Sequence, residues 1–262
     1  VCHAKALSTA AATQPSTHPL AAHGYKLYQY EICPFCNKVK SVLDFFDVPY
    51  TTVDVNPLTK SELAFSTDYK KVPVMVRTNG PQMNDSADIL DMVIADLHEA
   101  KVLSPAALRD FASDEAREWA RWADKELAVY IYPNITRSFS ESFEAFGYIE
   151  DVPHFSMMDK VSNRYLGSMA MLLANGKIKK KYNIKDERQE MFEKLATWTE
   201  ALGDKEFMGG KAPSLADLCV FGCIRAVKGT TTHAEILRET EVGPWYKRME
   251  DAVGLSARTS RT

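Results

Sequence analysis

The sequence predicts a two-part protein: a small α/β domain built on a mixed sheet, followed by an all-α domain. Three observations predict it. From Lys26 to about residue 100, strand-like and helix-like segments follow in the order β-α-β-α-β-β-α, a pattern of parallel crossovers closed by a hairpin. From Ser113 onward the apolar period is helical almost throughout. Within the first of these stretches, Cys33-Pro34-Phe35-Cys36 sits where the first strand hands over to the first helix. The expected organisation is a disordered tail or transit remnant over 1–24 and the α/β domain over 25–100. A linker over 101–112, the helical domain over 113–256 and a tail over 257–262 complete it.

Each element has its own warrant. The run Lys26 to Tyr30 alternates, with β-favouring Leu27, Tyr28 and Tyr30. The following helix lines up Cys36, Val39, Leu43 and Phe46 on one face. Tyr50 to Val55 is a second strand, Asn56-Pro57 a turn, and Lys60 to Ser66 a short helix. Lys71 to Arg77 is a third strand with Pro73 at its entry. Asn79-Gly80 signals a hairpin into an edge strand at Gln82-Met83, and Asn84-Asp85-Ser86 opens the next helix.

In the second half, Ser113-Asp114-Glu115 caps a helix that Pro133 ends. Phe155 to Ala174 and Asp186 to Leu202 are further helices. Ser214-Leu215-Ala216-Asp217 resembles a capping box at the head of a helix apolar nearly all round, which places that helix at the centre. Trp245-Tyr246 lies in a last short helix.

Composition narrows the class. With 262 residues and 45% hydrophobic content the chain can bury a sizeable core. A net charge of -3 and no stripe of interleaved aromatic and basic residues exclude a nucleic-acid reader. Five sparse cysteines do not make a secreted disulfide framework. No uncharged apolar run approaches the roughly 20 residues that span a bilayer. The first acidic residue is Glu31, and the Ala/Ser/Thr-rich segment before it has the composition of an organellar transit segment, with an ordinary disordered tail as the alternative.

The two thiols carry the chemistry. A helix N-terminus stabilises a nearby anion, so Cys33 is the reactive thiol, with Cys36 one turn further in and more buried. Half a zinc site and inert core cysteines are the competing readings. No second pair has ligand spacing, and no metal site is expected. The run Met157, Met158, Met169, Met171, Leu172 and Leu173 ahead of Lys177 to Lys181 reads as a core helix with a solvated lysine end. A membrane-surface helix is the other reading. His98, His154 and His233 are isolated and read as solvated or core histidines.

The element order with Cys33-Pro34-Phe35-Cys36 resembles the thioredoxin fold, in its glutaredoxin branch. The helical half, with Ser-Leu-Ala-Asp after Phe207-Met208-Gly209-Gly210, resembles the glutathione transferase C-terminal domain. Within that superfamily the chain is similar to the membrane-associated prostaglandin E synthase type 2 family. The shared stretches are Leu27 to Tyr30, Cys33 to Cys36, Lys71-Val72-Pro73, Asn84-Asp85-Ser86, Phe207 to Gly210, Leu215 to Leu218 and Pro244-Trp245-Tyr246.

The resemblance implies glutathione binding by Cys33, Phe35, Val72, Pro73, Asp85 and Ser86. Pro73 would follow a cis bond, Val72 would offer backbone bonds, and Asp85 and Ser86 would hold the γ-glutamyl end. It implies Cys33, Cys36 and Tyr30 as catalytic residues, and an apolar small-molecule substrate, prostaglandin H2, isomerised to prostaglandin E2. Asn84-Asp85-Ser86 alone would read as a plain helix cap. Haem accompanies glutathione in some family members, but Leu127-Ala128-Val129-Tyr130 stands where an animal member carries a His. Two alternatives stand beside the isomerase: a glutaredoxin-like thiol-disulfide oxidoreductase, and a non-catalytic accessory subunit of a mitochondrial, respiratory-chain type membrane complex. A homodimer or a larger organellar complex is the expected assembly. The expected location is mitochondrial and membrane-associated, with the cytoplasm as the alternative.

Overall fold

A computed structural model describes residues 17–262. Strand β1 (Tyr25–Gln29) buries Tyr25, Leu27 and Gln29 and turns Lys26 out, the period of two that its alternation demands. Helix α1 (Pro34–Phe45), β2 (Tyr50–Asp54), β3 (Val74–Val76), β4 (Met83–Asn84) and α2 (Ser86–Glu99) follow. β1 pairs parallel with β2 and antiparallel with β3, and β4 returns antiparallel on β3. The second α of the expected order is a single 3-10 turn, Ser61–Leu63.

Helices α3 (Pro105–Phe111) and α4 (Asp114–Trp122) lead through a π-helical turn, Ala123–Leu127, into α5 (Ala128–Asn134). Then come α6 (Phe139–Ala145), a 3-10 stretch Phe146–Asp151, and α7 (Met157–Ser162). A second π turn, Asn163–Gly167, joins α7 to α8 (Ser168–Tyr182). The chain continues with α9 (Glu187–Leu202), α10 (Leu215–Arg225), α11 (Thr231–Glu239) and α12 (Gly243–Val253), and ends in β5 (Arg258–Arg261). Helices α6 and α11 had no distinct signal in the sequence.

α10 is the central helix. Every residue from Leu215 to Ile224 is buried. Its first turn is pinned by Asp217, whose carboxylate accepts from the backbone N–H of Met208 (2.8 Å), Gly209 (3.2 Å) and Ser214 (2.9 Å) and from the Trp245 indole (3.0 Å). This satisfies donors that a buried helix start would otherwise leave unpaired. One apolar cluster runs from Leu27 and Val39 through Leu218 and Val220 to Trp198 and Trp245, so the two halves share a core.

Four expectations need correction. Residues 257–262 are an edge strand rather than a tail: β5 pairs parallel with β2, giving the order β4-β3-β1-β2-β5. The backbone of Thr262 exchanges bonds with Thr52 and Asp54, and Arg261 reaches the fully buried Asp54 carboxylate at 2.6 Å. This covers the β2 edge with polar residues whose pattern carries no apolar alternation. Of the segment 1–24, residues 1–16 lie outside the described residues. Residues 17–24 are packed, because Leu20 is buried in the core and Thr78 N–H donates to the His23 carbonyl. The linker 101–112 is mostly α3, capped by Ser104, with Phe111 buried against Phe45 and Phe46. Finally, the Met157–Leu173 stretch does not face a core: Met157, Met158, Met169 and Leu173 are exposed.

Candidate functional site

The Cys33 turn is built by its neighbours. Cys33 is the N-cap of α1 in extended backbone, with Pro34 as the first helical residue. Its N–H donates to the Tyr30 carbonyl at 3.1 Å. Buried Asn37 braces the turn from within, its amide donating to the carbonyls of Glu31 (2.7 Å) and Cys33 (3.0 Å). The Cys33 thiol is held below the ordinary thiol range, first by a hydrogen bond from the Cys36 thiol. Burial opposes this, and the N–H groups of Cys36 and Phe35 and the charge of Lys40 reinforce it. Burial pushes Cys36, fully enclosed, well up. Cys219 and Cys223 are buried on α10, and burial pushes Cys219 up to about 12. Among the described cysteines, Cys33 alone is both partly exposed and activated.

Behind the turn lies a charged brace that sequence spacing does not announce. Glu31 accepts from Lys40 at 2.9 Å and from Arg258 at 3.2 Å. Burial alone would raise Glu31, but Lys40 and then Arg258 more than reverse it and hold its carboxyl at about 2. Arg258 comes from β5, so the end of the chain supports the turn that carries Cys33.

The Val72–Pro73 bond is cis, in accord with the expectation from the resemblance. Val72, Tyr69 and Tyr30 pack on one small cluster formed by Val55, Leu63 and Val74. Asp85 is the exposed N-cap of α2, at φ 67, and accepts from Ala87 N–H at 3.0 Å. Ser86 beside it is buried, and its hydroxyl accepts from Lys38 Nζ at 3.5 Å. Lys38 is itself buried and pairs with Asp124 beyond α4. Burial raises the Tyr69 phenol and the Asp85 carboxylate adds to this, while a hydrogen bond from the Asp85 backbone opposes it. The residues suit glutathione: free N–H groups at a thiol, an exposed carboxylate for an ammonium, and the N-terminus of α2 for a carboxylate.

On its other side the Cys33 turn opens on an apolar pocket of about 310 Å³. Tyr30, Ile32, Cys33, Pro34 and Phe35 form one wall. Ala128, Val129, Ile131 and Tyr132 of α5 form a second, and Phe146, Tyr148, Met171, Ile178 and Tyr182 close it. Tyr132 donates to the Met171 carbonyl at 2.9 Å and so ties α5 to α8. Burial pushes the Tyr30 phenol well up, and the neighbouring thiols and Glu62 add to this. Tyr148 is raised by burial as well. Both phenols therefore present O–H donors at neutral pH. Val72, Pro73, Asp85 and Ser86 do not line this pocket, and Cys36 lies beneath it. Sequence reasoning missed Tyr132 and Tyr148; they lie far along the chain in elements whose spacing gives no hint that they face Cys33.

A larger cleft of about 500 Å³ adjoins it at Ile32 and Tyr148. Charged side chains line that cleft and answer one another, as Arg225 does Asp44 at 2.8 Å. Among the described residues no group of three or more His, Cys, Asp or Glu is placed to hold a metal. The lining of the apolar pocket holds no histidine.

Comparison with known proteins gives the lineage. The model of the glutathione S-transferase N-terminal domain matches residues 27–101. Prostaglandin E synthase 2 of Mus musculus is 33% identical over 87% of this chain and 70% of its own. That of Danio rerio is 32% identical over 86% and 70%. Among solved structures, the β-etherase of Sphingobium superposes with a TM-score of 0.58 at 18% identity, over 87% of this chain and 96% of that one. A rice glutathione transferase solved with glutathione gives 0.51 at 19%, over 87% and 89%. These structural likenesses establish the fold, a mixed-sheet domain with a helical domain behind it. The sequence relatives show that the chain belongs to the prostaglandin E synthase 2 family of glutathione transferase-like proteins.

Proposed function

We propose that this protein is a glutathione-dependent isomerase that opens an apolar endoperoxide of the prostaglandin H2 type to a hydroxyketone, using Cys33 as its thiolate. The observation that carries the reading is an activated thiol facing an apolar pocket of about 310 Å³. Glutathione, when bound on the Cys33, Val72 and Asp85 side, supplies thiols that keep the cysteine pair reduced.

The step balances without an outside oxidant. The Cys33 thiolate attacks one peroxide oxygen; an S–O bond forms and the O–O bond breaks. The released oxygen takes the proton of the Tyr30 phenol and becomes the hydroxyl. Loss of the C–H proton from the carbon bearing the other oxygen forms the C=O bond and expels the thiolate, and that proton restores Tyr30. The apolar walls hold the substrate's hydrocarbon arms and exclude water.

The test is calorimetric titration with glutathione beside turnover of prostaglandin H2, on the natural protein and on Cys33→Ser. Glutathione binding in the natural protein and a loss of turnover of about 100-fold or more in the variant are expected. Equal turnover by Cys33→Ser would overturn the thiolate mechanism.

A second reading, a glutaredoxin-like oxidoreductase, is favoured by the pairing of a partly exposed thiol, Cys33, with a buried one, Cys36, one turn further along α1. Cys36→Ser removes the resolving thiol that dithiol exchange needs and leaves the isomerase step intact. Equal loss of exchange and isomerase turnover in that variant would count against this separation.

A further inference from the structure

The rod formed by α7, the π turn and α8 is apolar on two sides. Met171, Ile178 and Tyr182 line the pocket. Met157, Leu166 and Leu173 do not line it and are 77%, 63% and 71% exposed. Eight of the thirteen exposed large hydrophobic side chains among the described residues fall within residues 157–182. A patch gathered on one rod in this way marks an interaction surface, where scattered single residues would not.

Charge on the same rod is segregated. Residues 157–182 hold six Lys or Arg and one acid, Asp159, in a chain whose net charge is -3; Arg164 and Lys179 are answered by Glu150 and Glu187, which leaves the lysines at the end of α8 to carry the surplus. Lys177, Lys180 and Lys181 are exposed at the end of α8, within a turn or two of Leu173. A second copy meeting this face would bring the same positive surplus to it. An anionic bilayer takes up both features: lipid chains accept the apolar side chains, and the headgroups neutralise the lysines.

We propose that the outer face of α7–α8 docks on an anionic lipid surface. Met157, Leu166 and Leu173 enter the headgroup boundary, with Lys177, Lys180 and Lys181 against the phosphates. The inner face of α8 is a wall of the apolar pocket, so docking places that pocket one helix away from the bilayer. An apolar substrate then passes from lipid to Cys33 without crossing bulk water. Only this last consequence rests on the endoperoxide reading; the docking itself does not.

The test is co-sedimentation of the full chain with phosphatidylcholine vesicles, with and without phosphatidylserine. The variants are Leu166→Glu/Leu173→Glu and Lys177→Glu/Lys180→Glu/Lys181→Glu, all at exposed positions. Phosphatidylserine is expected to raise partitioning about tenfold or more, and each variant to lower it by a similar factor. Cys33→Ser should sediment as the natural protein does, which separates this inference from the catalytic one. Absence of vesicle binding, indifference to phosphatidylserine, or partitioning unchanged in either variant would overturn the proposal. So would a dimer that the leucine variant dissociates while neither form binds vesicles.

Discussion

Gly222 of α10 lies directly on the backbone of Lys38 in α1: a Cβ at Gly222 would stand 2.6 Å from both the Cα and the N of Lys38. The neighbouring element is backbone and has no side chain to swing aside. The two helices carry the contact between the halves, and Lys38 in turn bonds the Ser86 hydroxyl and pairs with Asp124. Gly222→Ala should therefore destabilise the fold by about 1–3 kcal/mol through overpacking. The denaturation midpoint in urea checks this. An unchanged midpoint would mean that the helices separate at no cost.

The end of the chain holds a buried charge. Asp54 is fully enclosed and burial pushes its carboxyl up, with Arg261 as its partner at 2.6 Å. Removing one partner of such a pair costs about 3–5 kcal/mol. Arg261→Ala should fall near that range, lessened where water reaches the partly exposed arginine, in thermal or urea unfolding. Loss of β5 should also loosen Arg258 from Glu31 and with it the Cys33 turn.

Glu31 gives acid unfolding a defined window. Its folded pKa, about 2, lies below the 4.5 of an unperturbed glutamate, so the stabilisation is complete above about 4.5 and is lost as pH falls toward 2. The linked free energy is roughly 3 kcal/mol at most. Lys40→Met should flatten the stability profile in this window and leave the slope above pH 6 little changed. A profile that stays parallel to that of the natural protein would show that Lys40 does not hold the carboxylate.

The pocket can be filled without touching the thiol. Val129 lines it from α5, half-buried. Val129→Trp should weaken binding of an apolar substrate or inhibitor by about tenfold or more, while glutathione, proposed to bind on the Val72, Asp85 and Ser86 side, should bind as before. Parallel titrations with both ligands check this. Equal loss of the two would point to a collapsed site.

Thiol reactivity should divide the cysteines. Cys33 is depressed and Cys36 raised, so alkylation at neutral pH should modify Cys33 first, at a rate that levels off below the ordinary thiol range. Mass mapping of the alkylated peptides against pH decides it.

Local pattern determined much of this protein. Alternation at Leu27, the Pro34 and Asn84-Asp85-Ser86 helix starts, and the all-round apolar run from Leu218 to Ile224 each state their own conformation, because backbone propensity and periodicity act over a few residues. The position of Cys33 at a helix head was legible for the same reason. Tertiary structure alone decided the rest. β5 becomes a strand because β2 has an open edge and Asp54 a buried charge, neither of which marks Arg258–Arg261 in sequence. Tyr132, Tyr148 and Met171 meet Cys33 through packing of elements distant along the chain. The Met157–Leu173 face was read as core because period shows that a face is apolar; only the packed neighbours show whether anything covers it.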